Sequence, residues 1–78
     1  MELSELLEYL AQGLVDDPEA VVVDTFEEGG TVVLELAVGT DDYGKVIGRG
    51  GGTAQALRRV IRAAGASRGQ RVLVDIVE

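Results

Sequence analysis

Four glycines in five residues, Gly48, Gly50, Gly51 and Gly52, with Arg49 set among them, are the densest chemical signal in this 78-residue sequence. A turn between two helices needs one glycine, or two, for positive φ. Four remove nearly every side chain, so another backbone can come close. A helix that starts there presents unsatisfied N–H groups and the positive end of its dipole. Bare backbone, helix start and one arginine together make a phosphate-binding surface. A tight or flexible helical turn is the other use of the same residues.

Other candidate chemistries fail on inspection. Gly39-Thr40-Asp41-Asp42-Tyr43-Gly44-Lys45 follows a P-loop as far as its lysine. Val46 then stands where Ser or Thr must ligate magnesium, and two aspartates sit inside the cradle. A dinucleotide fingerprint opening at Gly48 meets Thr53 where its last glycine belongs, and a helix precedes it instead of a strand. Asp41 and Asp42 have no third oxygen ligand or nucleophile beside them, and read as helix-capping residues. The chain has no histidine and no cysteine. That removes the commonest general base, zinc sites of the usual kind, disulfides and thiolate catalysis. Neither a catalytic set nor a metal or cofactor site is expected.

The formal net charge of −7 argues against a polyanionic partner until its distribution is considered. Residues 1–44 carry twelve acidic side chains and no basic one; residues 45–78 carry all seven basic ones against Asp75 and Glu78. A polyanion responds to the local field. The plainer reading is a solvated acidic face beside ordinary helix-surface arginines.

The elements that must position these groups follow from periodicity. Leu3, Leu6, Leu7, Leu10 and Leu14 form a helical stripe, stopped by Asp16-Asp17-Pro18. Ala20–Phe26 reads as a strand, Glu27-Glu28-Gly29-Gly30 as a turn, and Thr31–Val38 as a second strand with Val32, Leu34, Leu36 and Val38 on one face. A short helix over Tyr43–Ile47 precedes the glycines and a longer one, Thr53–Ala66, follows them. In the longer helix Ala54, Leu57, Val60, Ile61 and Ala64 cluster on one side, with Gln55, Arg58, Arg59 and Arg62 on the other. Gly65, Ser67 and Gly69 loosen its end, and Arg71–Val77 closes the chain as a strand with Val72, Val74 and Ile76 on one face. The order α-β-β-α-α-β predicts an α+β fold: a three-stranded mixed sheet with three helices on one face. No apolar run reaches the ~18 residues of a membrane span, and the acidic start is unlike a signal peptide. The expectation is a cytoplasmic protein.

Val46-Ile47-Gly48-Arg49-Gly50-Gly51 followed by a helix resembles the Ile-Gly-x-x-Gly signature of KH domains. The helix-first order with a hairpin before the signature is similar to the type II arrangement. Leu14-Val15-Asp16-Asp17-Pro18 and Thr53-Ala54-Gln55-Ala56-Leu57-Arg58 resemble segments of the small stand-alone bacterial KH proteins of the KhpA type. The resemblance implies one KH domain over residues 1–78 and a binding function without catalysis. About four nucleotides of single-stranded RNA would be clamped at the backbone by the glycine loop. The implied contact set is Lys45, Val46, Ile47, Gly48, Arg49, Gly50, Gly51, Gly52, Thr53, Ala54 and Arg58, with bases resting on Val46, Ile47 and Ala54. A homodimer, or a heterodimer with a larger KH-containing protein, is implied as well, in the service of RNA chaperoning or post-transcriptional regulation. An adaptor on the same scaffold that contacts proteins and not RNA is the competing reading. Ala54 departs from the pattern, which often has a large aliphatic residue there.

Overall fold

A computed structural model describes residues 1–78. Its elements are α1 (Leu3–Gln12), β1 (Val22–Glu28), β2 (Thr31–Ala37), α2 (Tyr43–Ile47), α3 (Gly52–Ala66) and β3 (Arg71–Val77), with single 3-10 turns at Pro18–Ala20, Thr40–Asp42 and Arg49–Gly51. The sheet order is β1-β2-β3; β1 and β2 are antiparallel, β2 and β3 parallel. This is the α-β-β-α-α-β order and the mixed sheet that periodicity predicts.

Alternation along the strands decides which face is covered. Leu34 and Leu36 of β2 and Val72, Val74 and Ile76 of β3 are buried against Leu3, Leu7 and Ala11 of α1, Val46 of α2, and Ala54, Leu57 and Ile61 of α3. The intervening strand residues point to the opposite face, which no helix covers. No helix is long and apolar enough to cross a membrane.

Several local expectations are corrected. Glu2 and Glu5 form a reciprocal capping box at the start of α1, with the Glu2 N–H donating to Glu5 Oε1 at 2.8 Å. The helix stops at Gln12, with Gly13 closing it. Leu14 therefore lies beyond the helix, partly exposed, and the buried stripe is Leu3, Leu7 and Ala11, flanked by half-buried Leu6 and Leu10. Strand β1 starts two residues later than predicted, because Pro18–Ala20 is a 3-10 turn, and it continues to Glu28. That leaves Gly29–Gly30 as a two-residue turn with φ of 54° and 82°, the geometry of a tight hairpin.

Within α3, Val60 faces outward at 48% exposure, not into the core. Gly65 does not loosen the helix; it is a buried contact. A Cβ there would lie 2.5 Å from Val72 Cγ2, so its absence lets α3 rest directly on β3.

Candidate nucleic-acid interface

Helix α2 ends at Gly48, whose N–H donates to Gly44 O at 2.9 Å. Gly48 has φ 76° and ψ 172°, a region open essentially to glycine alone. A Cβ there would also fall 2.3 Å from Thr53 Oγ1. The half-buried Thr53 side chain thus rests on Gly48 and clamps the loop's first residue to the start of α3.

Arg49–Gly51 then makes a 3-10 turn, with Gly51 N–H donating to Gly48 O at 3.1 Å and Gly52 N–H to Arg49 O. Those two donors are satisfied within the loop. An anion arriving here would meet the remaining bare backbone, the Arg49 side chain and the dipole of a 15-residue helix that starts without a side-chain cap. Gly50 and Gly51 have φ of 62° and 79°, and a Cβ at either, or at Gly52, would meet nothing within 4 Å. The outer side of the loop is open.

The apolar members of the predicted contact set divide. Val46 is fully buried and Ala54 is 2% exposed, so both lie in the core. They anchor the loop from beneath and offer no surface on which a base can rest. Ile47 is half-buried and reaches the surface.

Lys45 of the same set is engaged within the fold. Its ammonium lies between two carboxylates, forming an ion pair with Asp16 and another with Asp42 at 3.2 Å. Asp42 is buried, and its oxygens accept the N–H groups of Asp16 at 3.2 Å and Asp17 at 3.0 Å. It does not cap its own helix, the role expected from sequence; it caps the loop that follows α1, twenty-five residues upstream. The Asp16 N–H, foremost, together with the Asp17 N–H and the Lys45 ammonium, holds the Asp42 carboxyl below its ordinary value of 3.8 against the opposing effect of burial. Asp16 first, then Asp42, raises Lys45 above its ordinary 10.5. This node ties α1 to α2 and is structural.

Three other cations form a different surface. Gln55, Arg58, Arg59 and Arg62 line a shallow cleft along one flank of α3. Arg59 and Arg62 are exposed. Arg58 is half-buried, and its Nε donates to Val74 O at 3.3 Å. Strand β3 is at the sheet edge, paired on one side only, so this carbonyl belongs to an otherwise free edge. Both ion pairs of the chain use Lys45, which leaves the arginines of α3 and Arg49 without acidic partners. Asp75, the only acid of β3, alternates to the opposite face of the sheet.

Gln55, Arg59 and Arg62 of this cleft, and the Val74 carbonyl beside it, are not in the predicted contact set. Gln55 shares the polar arc of α3 with the arginines, and that arc was the signal that identifies it. The Val74 carbonyl carries no sequence signal, because only the strand order makes β3 an edge.

A family profile described as KhpA/KhpB, KH domain matches residues 4–76. A protein named RNA-binding protein KhpA from Streptomyces coelicolor is 49% identical over 76 residues, covering 97% of this chain and 92% of that protein. One of the same name from Halalkalibacterium halodurans is 43% identical over 76 residues, covering 97% and 100%. Among solved structures, Era from Aquifex aeolicus bound to GDP and AlF4− superposes with a TM-score of 0.66 at 17% identity, over 95% of this chain and 29% of that one. Era in complex with MgGDPNP and nucleotides 1506–1542 of 16S ribosomal RNA gives the same TM-score over 28% of its length. The present chain spans less than a third of Era, and that likeness concerns the fold.

Proposed function

The chain belongs to the KhpA/KhpB KH-domain family, a non-enzymatic one, and from that premise we propose that it binds single-stranded RNA in the cleft along the polar flank of α3, beside the free edge of β3. The observation that carries this reading is the placement of charge. In a chain of net charge −7, Arg49, Arg58, Arg59 and Arg62 lie unpaired along the glycine loop and one flank of a single helix.

The loop lets a phosphate approach bare backbone beside Arg49, and the start of α3 favours the negative charge. About four nucleotides then run along the cleft. Arg58, Arg59 and Arg62 neutralise phosphates, while Gln55 and the Val74 carbonyl supply donors and an acceptor to base edges. Ile47 is the surface apolar group at the loop. No aromatic side chain lines the cleft, so stacking worth ~1–3 kcal/mol per base is missing and a lone domain binds weakly.

Weak single sites favour assembly. Leu10, Leu14, Thr53, Ala56 and Val60 form an apolar strip between α1 and the other flank of α3, which suits pairing with a second KH domain, in a homodimer or with a larger KH-containing protein. Val60→Asp would then leave the chain monomeric in sedimentation; an unchanged sedimentation coefficient places the contact elsewhere. A cytoplasmic RNA chaperone or post-transcriptional regulator is the role these features suit.

The decisive experiment replaces Arg49 and Gly50 together with Asp and measures binding to a short single-stranded RNA by fluorescence anisotropy. Two side chains and two negative charges then stand where phosphate approaches. The expected result is a loss of about tenfold or more in affinity, with a melting temperature close to that of the parent, because the loop is exposed. Retained affinity in a folded variant overturns the assignment.

A further inference from the structure

The face of the sheet turned away from the helices is organised in rows. The strand register places Val22, Ala37 and Val77 side by side, then Asp24, Glu35 and Asp75, then Phe26, Val33 and Leu73. Two apolar rows thus flank an acidic one. Val22, Phe26 and Leu73 are 50%, 49% and 46% exposed, so the apolar rows stand open. The three carboxylates are direct cross-strand neighbours, and none has a cationic partner. Like charges directly opposite one another destabilise a sheet. A solvated face normally carries mixed polar groups, not apolar rows around a single-sign row.

We propose that this face is a docking surface for a basic amphipathic helix of another protein, whose Lys or Arg side chains meet the Asp24–Glu35–Asp75 row while its apolar residues cover the rows on either side. The dimensions agree. Successive rows are two residues apart along the strands, about 6.7 Å; positions i and i+4 of a helix are about 6 Å apart. A helix lying along the strands therefore offers apolar, basic and apolar residues at i, i+4 and i+8 to three successive rows. Three strands at about 4.8 Å spacing make a face as wide as one helix.

Charge excludes the other occupants. Counting Glu28 and Arg71 in the fourth row, the face carries four carboxylates and one guanidinium. RNA and anionic lipid surfaces are repelled, and a second copy stacked face to face opposes eight carboxylates with two arginines. The docking face is opposite the α3 cleft, so a partner can sit there while the cleft is occupied, and the inference does not depend on the RNA reading.

The test uses the isotopically labelled full chain and a synthetic helical peptide of about 16 residues with Leu, Arg and Leu at i, i+4 and i+8. A control peptide has Glu in place of that Arg. Amide shifts confined to β1, β2 and β3, with affinity at least fivefold weaker for the control, are expected. Glu35→Gln weakens binding of the Arg peptide about threefold or more, and by relieving like-charge contacts it raises the melting temperature of the free chain by about 2–5 °C. Equal binding of both peptides, shifts on the α1–α3 strip, concentration-dependent self-association through Phe26 and Leu73, competition by single-stranded RNA, or a lowered melting temperature for Glu35→Gln each overturn the proposal.

Discussion

Lys45 and Arg58 both follow the acidic half of the chain, and the structure uses them in opposite ways. Lys45 is held between Asp16 and Asp42, beside a carboxylate that also accepts two backbone N–H groups. Arg58 has no acidic partner; one N–H rests on a strand-edge carbonyl and the rest of its guanidinium faces a cleft. The Lys45–Asp42 node satisfies its charges internally and joins α1 to α2. The α3 flank leaves like charges side by side, Arg58 and Arg62 one helical turn apart, an arrangement that mildly destabilises an isolated helix. Charge that is paired within the fold stabilises it, and charge left unpaired on one flank remains available to a ligand.

The hardest way to break that comparison is to remove the geometry both regions share. Gly48 separates α2, which carries Lys45, from the loop leading to α3. Gly48→Val places a β-branched side chain at φ 76° and against Thr53. A backbone penalty of about 1–3 kcal/mol plus the overlap should lower the melting temperature by roughly 10 °C or more and abolish RNA binding as well. A variant that melts like the parent shows that the loop relaxes and that Thr53 does not hold it.

A smaller effect separates the two regions. Asp42→Asn keeps the size of the side chain and removes the charge that Lys45 and two N–H groups address. The expected outcome is a lower melting temperature at neutral pH with unchanged RNA affinity of the folded protein. The pH dependence gives the sign. The folded carboxyl lies below its ordinary value of 3.8, so its contribution is present above that value and fades as pH falls through the folded value. Lys45 is raised above 10.5, so its contribution is present below that value and fades as pH climbs through the folded one. Asp42→Asn should flatten the acid side of the stability curve. Weakened RNA binding in that variant at neutral pH would mean the node also serves the interface.

The smallest effect sharpens the α3 side. Changed singly to Gln, Arg59 and Arg62 should keep stability within about 0.5 kcal/mol, weaken binding to unrelated RNA sequences, and flatten the dependence of log K on log salt by about 0.7 each. Arg58→Gln should do the same and lose in addition about 0.5–1.5 kcal/mol of stability with the Val74 hydrogen bond. Three variants with the parent's salt slope would leave binding to Arg49 and the loop alone.

Much of this was legible in the residues because it depends on local order. The leucine stripe, the β-branched runs, the glycine cluster and the arginine arc of α3 are patterns of neighbours a few positions apart. What the residues do not show has one cause. The resemblance puts bases on Val46 and Ala54, yet their burial depends on which side of α2 and α3 meets the sheet. Asp42 reads as a cap for the helix it precedes, since the N–H donors it accepts from, twenty-five and twenty-six residues upstream, come near only through folding. Val60 shares the apolar side of α3 on a helical projection, which cannot know where α1 ends.

Sequence alone determined the element order, the position of the glycine loop between two helices and the separation of acidic from basic halves. Propensity, turn chemistry and charge are properties of the chain itself. Tertiary structure alone decided which cations are free, which strand is an edge and what lies on the sheet's open face. Those depend on register and on distances between residues far apart in the chain. The parallel pairing of β2 with β3 aligns Glu35 with Asp75, as the hairpin aligns it with Asp24, and makes one acidic row of three positions that the sequence keeps apart.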